Sequence, residues 1–136
     1  MGMMLCRLTM LRLTQTQINA LSQKAENDFA QRIAEGWRSY EIEFPIPIAS
    51  SLTHDLCRTT ASEVWKTCNR SGLEFEDDFI ALAFIVLRAI RLGVDSRFIE
   101  ECVRYFINQA HTDGAAAASW ATLQLHELEE QTYYGH

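Results

Sequence analysis

The chain has 136 residues, of which 48% are hydrophobic and 22% charged, with six Gly and two Pro. This length suits one domain, and this composition excludes a disordered, collagen-like or linker-dominated chain. The formal net charge is −6, and residues 69–136, with five Lys/Arg and eleven Asp/Glu, carry all of it. Because an acidic surface repels phosphate backbones and no basic stripe is present, nucleic-acid binding is not expected.

The sequence predicts no membrane-spanning or secretory segment. The longest apolar run, Ile80–Leu87, has eight residues, far short of the ~20 that span a bilayer. The start, Met1–Arg7, lacks the apolar core and small-residue cleavage site of a signal peptide. We expect a cytoplasmic protein, because the irregular spacing of the four cysteines is typical of reduced thiols in that compartment. Residues 1–13 are interpreted as an N-terminal extension, for which disorder is one hypothesis, and Met10 is an alternative initiator.

The first predicted helix covers residues 15–41. Thr14 followed by Gln17 is the capping-box pattern that opens a helix, and apolar residues then recur at spacings of three and four. The expected buried stripe comprises Ile18, Leu21, Ala25, Phe29, Ile33, Trp37 and Tyr40. Gly36 leaves room for a neighbouring helix to approach closely. The segment Phe44–Ile48 contains two prolines, so we expect it to be extended and to lie against the core.

The second predicted helix covers residues 52–70. Ser51 or Thr53 can cap it, and Gly72 is expected as a left-handed stop after its end. Its expected buried side comprises Leu52, Leu56, Val64, Trp65 and Cys68.

The third predicted helix is the most apolar one. Glu76–Asp78 place three carboxylates in its first turn, where the helix dipole favours negative charge. Residues 79–92 are apolar on nearly every side, and a helix of that kind is buried, so we expect it to be the central element. Arg88 and Arg91 lie within it, and a buried arginine must be paired. The expected partners are carboxylates such as Glu63, Glu100 or Glu101.

Two further helices are predicted in the last third of the chain. Asp95 or Ser96 opens the fourth, which extends to about Ala110, and Thr112 or Asp113 caps the fifth. The apolar stripe of the fourth comprises Phe98, Ile99, Cys102, Val103, Phe106, Ile107 and Ala110. The contacts expected of the fifth are made by Trp120, Leu123, Leu125 and Leu128.

The sequence as a whole predicts an all-α fold of about five helices packed around the apolar helix 79–92. No strand pattern is long enough to build a sheet. The single helical domain is expected to cover residues 14–130. Residues 131–136 are expected to form a loose tail, because carboxylates near the end of the last helix oppose its dipole.

No pattern in the sequence predicts a metal, cofactor or catalytic site. His54 and Cys57 are three residues apart, but two ligands do not make a zinc site. The four cysteines form no Cys-x-x-Cys pair and fall mostly on apolar faces, which is typical of reduced, packed thiols. Adjacent carboxylates on a helix point apart, and no glycine-rich phosphate loop is present. We therefore expect a protein that is not an enzyme and needs no cofactor.

One alternative concerns the two arginines of the apolar helix. If Arg88 and Arg91 converged with His111, they could form an anion pocket. The chain would then be a helical ligand-binding regulator or a small enzyme. This hypothesis predicts a concave site where the three side chains meet.

Two sets of residues are candidates for contact with a protein partner. Trp37, Tyr40 and Phe44 lie near the prolines, with Ile46 and Ile48; this cluster belongs either to the core or to a partner or homodimer face. The second set is acidic, and carboxylates can meet a basic protein surface. It comprises Glu100, Glu101, Glu127, Glu129 and Glu130.

The order of these features resembles a known group of proteins. Leu11–Gln17 leads into a helix that ends in Phe44–Pro45, and a second helix ends in Asn69–Leu73. Glu76–Phe79 then opens an apolar helix that Gly93 closes. This order resembles small helical proteins encoded beside effectors of the bacterial type VI secretion system.

The resemblance extends over about residues 10–110 and implies a function without catalysis. It implies a cytoplasmic accessory that binds a secreted effector toxin or its adaptor, as a co-chaperone or adaptor, or that blocks the toxin as an immunity protein. No catalytic residue is carried over with it. The chain departs from the group at Val94–Asp95, where a Phe-Asp pair is expected, and it also lacks the Pro-Trp element. The last third of the chain therefore falls outside what the resemblance implies.

Overall fold

The computed structural model describes residues 14–46 and 49–134. Over these ranges the chain forms one all-α domain without a strand, which confirms the predicted fold class. The five helices are α1 (Gln15–Glu43), α2 (His54–Arg70), α3 (Glu76–Arg91), α4 (Ser96–Ala110) and α5 (Gly114–Tyr134). The N-terminal extension, Pro47 and Ile48, and the last two residues lie outside the described residues, and so do the predictions made for them.

The helices begin where side-chain chemistry caps them. Thr14 Oγ1 accepts a hydrogen bond from the Gln17 backbone N–H at 3.1 Å, and the Gln17 side chain accepts one from the Thr14 N–H at 2.9 Å, which is the predicted capping box. Thr53, Asp95 and Asp113 each accept a backbone hydrogen bond from the first turn of the helix that follows. These three residues decide between the alternative caps that the sequence leaves open.

Two glycines end helices in the left-handed conformation. Gly72 has φ +80° and Gly93 has φ +73°, a region in which a side chain would be strained. After α2, the Leu73 N–H donates to the Cys68 carbonyl at 3.1 Å, which closes the helix in a Schellman-type turn. The predicted stop at Gly72 is confirmed.

Helix α3 packs against each of the other four helices. Leu82, Ala83 and Leu87 are fully buried in it. Helix α1 runs beside it in the same direction, because Arg32 pairs with Glu76 at the start of α3 and the Phe44 carbonyl, just after α1, accepts from Arg91 at its end. A close approach of these two helices occurs at Gly36, where a Cβ would lie 3.1 Å from Phe84 Cζ, as predicted.

Aromatic rings hold the domain together at the start of α3. Phe29, Trp65 and Phe79 come from three different helices and meet with ring centroids 5.1 to 6.3 Å apart. Offset and edge-on pairs of this kind add to the free energy gained from burial.

The predicted stripe of α1 is buried only in its second half. Phe29, Ile33 and Trp37 are buried, whereas Ile18 and Leu21 are exposed. The N-terminal half of α1 extends beyond the start of α3 and therefore lacks a neighbouring helix among the described residues. The prediction for Ile18, Leu21 and Ala25, which is exposed as well, is wrong for that reason.

Helices α2, α4 and α5 also leave predicted core residues at the surface. Leu56, Phe98 and Leu123 are exposed. Helix α5 turns Ala117 and Ala121 inward instead, together with Leu125. Small side chains allow this helix to approach the core closely, so its larger residues lie at the edge.

The last helix is longer than predicted. Helix α5 continues to Tyr134, so residues 131–134 are helical and not a loose tail. The loose tail was predicted because carboxylates near this end oppose the helix dipole, but one of them, Glu129, pairs with two arginines of α3. None of the described helices is long and apolar enough to cross a membrane.

Candidate functional site

A buried ionic network joins α3 to α5. Glu129 accepts hydrogen bonds from Arg88 through Oε1 and from Arg91 through Oε2, the latter at 3.0 Å. The side chains of Arg91, Arg88 and Glu129 are 3%, 13% and 14% exposed. The Tyr40 hydroxyl donates to Oε2 of the same carboxylate at 3.4 Å. The Glu129 carboxylate thus accepts hydrogen bonds from three side chains, one in α1 and two in α3.

The other contacts of this network involve Arg91, whose buried Nε is left without a hydrogen-bond partner among the described residues. Its Nη1 donates to the Phe44 carbonyl at 2.9 Å, which fastens the chain just after α1. Its guanidinium lies over the rings of Trp37 and Tyr40, 5.3 and 5.2 Å from their centroids. Burial raises the pKa of the Tyr40 phenol, so Tyr40 remains a neutral donor at neutral pH. This arrangement is a paired interior network that holds three helices in register.

The structure does not bring His111 to the two arginines. His111 follows α4 and lies beside Gly72, near the start of α3, whereas Arg88 and Arg91 lie in the last turn of α3. Arg88 comes twelve residues after Glu76, the first residue of α3, which is a distance of about 18 Å along the helix. The pocket required by the alternative hypothesis is therefore not formed by these side chains.

The described residues contain no constellation for metal binding. No group of three or more His, Cys, Asp or Glu side chains is placed to hold an ion. Cys57 and Cys68 are buried, and burial raises the pKa of their thiols to about 11 and about 12. A thiol with so high a pKa is a poor nucleophile at neutral pH.

The most distinctive surface is an apolar groove between α4 and α5, floored by the last turns of α3. Its volume is about 480 Å³. Its floor includes Ile85 and Ala89 of α3. Half-buried or exposed apolar side chains line its walls. These are Phe98, Ile99, Cys102, Val103, Trp120 and Leu128.

The groove exists because α4 has more apolar surface than the core can cover. Phe98 is 54% exposed, while Phe106, two turns later on the same helix, is fully buried. Trp120 also lines the groove, and its ring centroid lies 4.4 Å from that of Tyr105. Ile99 and Val103 are only half covered. A helix face of this kind is the usual place for another apolar element to bind.

Two charged residues line the groove, and both are acidic. They are Asp95 and Glu127, and both are exposed. Glu101 lies next to the groove residue Cys102, whose thiol pKa is raised by burial and by that carboxylate. An apolar surface whose two charged lining residues are both acidic favours a basic, apolar occupant.

A second cleft lies on the other side of α4, against α2. It has a volume of about 620 Å³, and its walls carry charges of both signs in Glu63, Glu100 and Arg104. Threonines from α2 make much of the remaining wall. Because this cleft offers less apolar surface and no single sign of charge, it is the weaker candidate for a binding site.

The predicted acidic residues are divided among different surroundings. Glu127 lies on the rim of the groove, and Glu100 lines the cleft. Glu101 is exposed, and Glu130 is exposed and lies 3.1 Å from His126. Glu129 is a correction, because it is committed to the interior network and is not free to meet a partner.

The predicted aromatic cluster is also divided. Trp37 is buried, and its ring N–H donates to Glu41 at 2.7 Å, so it belongs to the core and cannot anchor a partner. Tyr40 is half-buried in the ionic network. Phe44 is half exposed and packs against the Tyr40 ring at 4.9 Å.

Sequence reasoning places Phe98 and Trp120 in the core and does not identify them as groove residues. The sequence signal for them is an apolar stripe, which has the same form for a buried face and for a binding face. Comparisons of the chain with protein-family models, curated proteins and solved structures find no match.

Proposed function

We propose that this protein is a non-enzymatic, cytoplasmic accessory of a type VI secretion effector, and that it binds its partner through the apolar groove. The partner is the secreted effector toxin or its adaptor. The observation that carries the binding role is the groove itself, with exposed Phe98 on one wall and half-buried Leu128 on the other.

The distribution of charge supports binding over catalysis. The two buried arginines are occupied by Glu129 and by the Phe44 carbonyl. Neither Arg88 nor Arg91 lines the groove or the cleft. A protein-binding role needs only a shaped, desolvated patch with complementary charge at its rim.

The link to type VI secretion is supported by the order of sequence motifs over about residues 10–110. This resemblance is compatible with two roles of the protein toward the effector. As a co-chaperone or adaptor, the chain would cover an apolar segment of the effector before loading. As an immunity protein, it would place its acidic rim against the basic surface of the toxin.

The experiment is co-expression with the effector encoded beside this chain, followed by affinity capture. Phe98→Asp puts a charge on the groove wall and is expected to abolish retention of the effector. Phe75→Asp is the matched control, because Phe75 is 71% exposed and lines neither the groove nor the cleft. Retention that is equal for both variants, or absent for the unmodified chain, would overturn the proposal.

Growth and solubility separate the two roles in the same cells. Rescue of growth against the active toxin supports immunity. Improved effector solubility or secretion without rescue of growth supports a chaperone. In either case Phe98→Asp should lose the effect and Phe75→Asp should keep it.

A further inference from the structure

The chain itself contains a segment with the chemistry that the groove favours. The N-terminal segment, residues 1–13, contains two arginines and no acidic residue, and most of its other residues are Leu or Met. The remaining 123 residues of the chain carry the whole excess of acidic charge. The groove and this segment are therefore opposite in charge and alike in apolar character.

The residue spacing of the N-terminal segment also fits a groove. Met4, Leu8 and Leu11 are four and three residues apart, the spacing of one helical face. Successive residues are about 100° apart around a helix axis. In that view Leu11 and Leu8 mark the two edges of the face, with Arg7 about 40° beyond Leu11 and Arg12 about 40° beyond Leu8. An apolar stripe flanked by a basic residue on each side matches an apolar groove with an acidic residue on each wall.

The lengths agree as well. The stripe from Met4 to Leu11 would be about 10 Å long as a helix. The wall of the groove on α4, from Asp95 to Val103, is about 12 Å long by the same measure. Glu127 stands on the opposite wall, contributed by α5.

A segment of this length cannot fill the groove of its own chain. Helix α1 meets the start of α3 at the Arg32–Glu76 pair, and Gln15 lies about 25 Å beyond that point along the helix. The groove begins at Ile85, about 14 Å in the other direction. Thirteen residues would cover the resulting distance of about 40 Å only when fully extended, and none would then be left to lie in the groove.

We propose that the N-terminal segment of one copy docks in the apolar groove of a second copy, with its arginines facing Asp95 and Glu127. This self-association goes beyond the proposed function, because it requires no effector. It would also regulate that function, since the segment and the effector compete for one surface. A partner must then displace the segment before it binds.

Native cysteines provide the test on the full-length chain. Cys6 lies in the N-terminal segment and Cys102 lines the groove, whereas Cys57 and Cys68 are buried. Cys6 falls on the helical face opposite Met4, Leu8 and Leu11. An equal mixture of unlabelled and ¹⁵N-labelled protein is therefore treated with a bismaleimide long enough to reach around a helix about 10–12 Å in diameter, and the products are analysed by mass spectrometry. The expected product is a Cys6–Cys102 cross-link that joins peptides of different isotopic origin, accompanied by a mass above that of the monomer in sedimentation.

Charge reversal tests the recognition. Glu127→Lys is expected to weaken self-association about ten-fold, and combining it with Arg7→Glu should restore part of the loss. Glu130→Lys is the matched control, because Glu130 is exposed on the same helix and does not line the groove. It should associate as the unmodified chain does.

Three results would overturn this inference. These are a monomer at every concentration, cross-links confined to peptides of one isotopic origin, and equal association of the Glu127→Lys and Glu130→Lys variants. Each is measured on the purified chain alone. A failure of self-association is therefore distinguishable from a failure to bind the effector, and either proposal can stand without the other.

Discussion

Arg91 in α3 donates a hydrogen bond to Glu129 in α5 at 3.0 Å, across 38 residues of chain. The same carboxylate also pairs with Arg88, so one acidic residue neutralises part of the charge of two buried arginines. This relationship fixes the position of α5 on α3. It also explains why α5 stays helical beyond the point where its dipole opposes its carboxylates.

Removal of this carboxylate should be severely destabilising. Glu129→Ala leaves two largely buried guanidinium groups without their counter-charge, and we expect it to lower the free energy of unfolding by about 3–5 kcal/mol. Glu129→Gln keeps the shape and part of the hydrogen bonding, so it should cost less. Urea denaturation measures both. Glu130→Ala, at an exposed site on the same helix, should change stability by less than about 0.5 kcal/mol. Equal stability of the Glu129→Ala and Glu130→Ala variants would refute the role given to Glu129.

Alkaline pH should destabilise the protein through its buried thiols. Burial raises the pKa of Cys57 to about 11 and of Cys68 to about 12, above the ordinary 9.0. The folded state therefore holds these protons more tightly than the unfolded state does. Stability is retained below the unfolded-state pKa and falls as pH rises from there toward the folded-state pKa, by up to about 1.4 kcal/mol per thiol per pH unit.

The measurement is the free energy of unfolding, under reducing conditions, between about pH 8 and about pH 10. The double variant Cys57→Ala/Cys68→Ala will be less stable at neutral pH because it creates cavities. Its further loss at alkaline pH should nevertheless be smaller than that of the unmodified chain. If the free energy of unfolding fell equally with pH in the two proteins, these thiols would not be the cause of the loss of stability at alkaline pH.

Two phenylalanines on α4 should respond very differently to truncation. Phe106 is fully buried, and Phe106→Ala should cost about 3–5 kcal/mol of stability through lost burial and a new cavity. Phe98 is 54% exposed, and Phe98→Ala should cost less than about 1 kcal/mol. Thermal and urea unfolding measure the difference. A large loss at Phe98 would mean that the groove wall is part of the core and not a surface for binding.

A side chain at Gly36 should push α1 away from α3. A Cβ there would lie 3.1 Å from Phe84 Cζ, so Gly36→Val is expected to cost about 1–3 kcal/mol through overpacking. Ala20→Val, at an exposed position on the same helix, should cost only the difference in helix propensity, below about 1 kcal/mol. In the Phe84→Ala background the Gly36→Val penalty should largely disappear. Strict additivity of the two substitutions would exclude the contact as the cause.

Local features of the structure were predictable because their causes are local. The capping box at Thr14 and the stop at Gly72 depend on residues within one turn of the chain. The space at Gly36 could also be inferred, since a missing side chain is visible in the sequence. Its occupant, Phe84, could not, because it comes from another helix.

The candidate site was less predictable. The sequence correctly requires a carboxylate partner for Arg88 and Arg91. The partners that it suggested, Glu63, Glu100 or Glu101, are wrong, because the carboxylate that pairs with both arginines is Glu129. Likewise, Phe98 and Phe106 belong to one apolar stripe, but the neighbouring helices cover Phe106 and leave Phe98 exposed. Periodicity identifies a face and not the element that lies against it.

The sequence by itself determined the helical class, the approximate helix ends and the acidic second half, because these follow from backbone capping, residue periodicity and charge. The tertiary structure decided which carboxylate enters the core, which aromatic residues remain uncovered and where the groove forms. Such choices depend on the mutual packing of helices distant in sequence. Many pairings satisfy the same local preferences, and only close packing in three dimensions selects one of them.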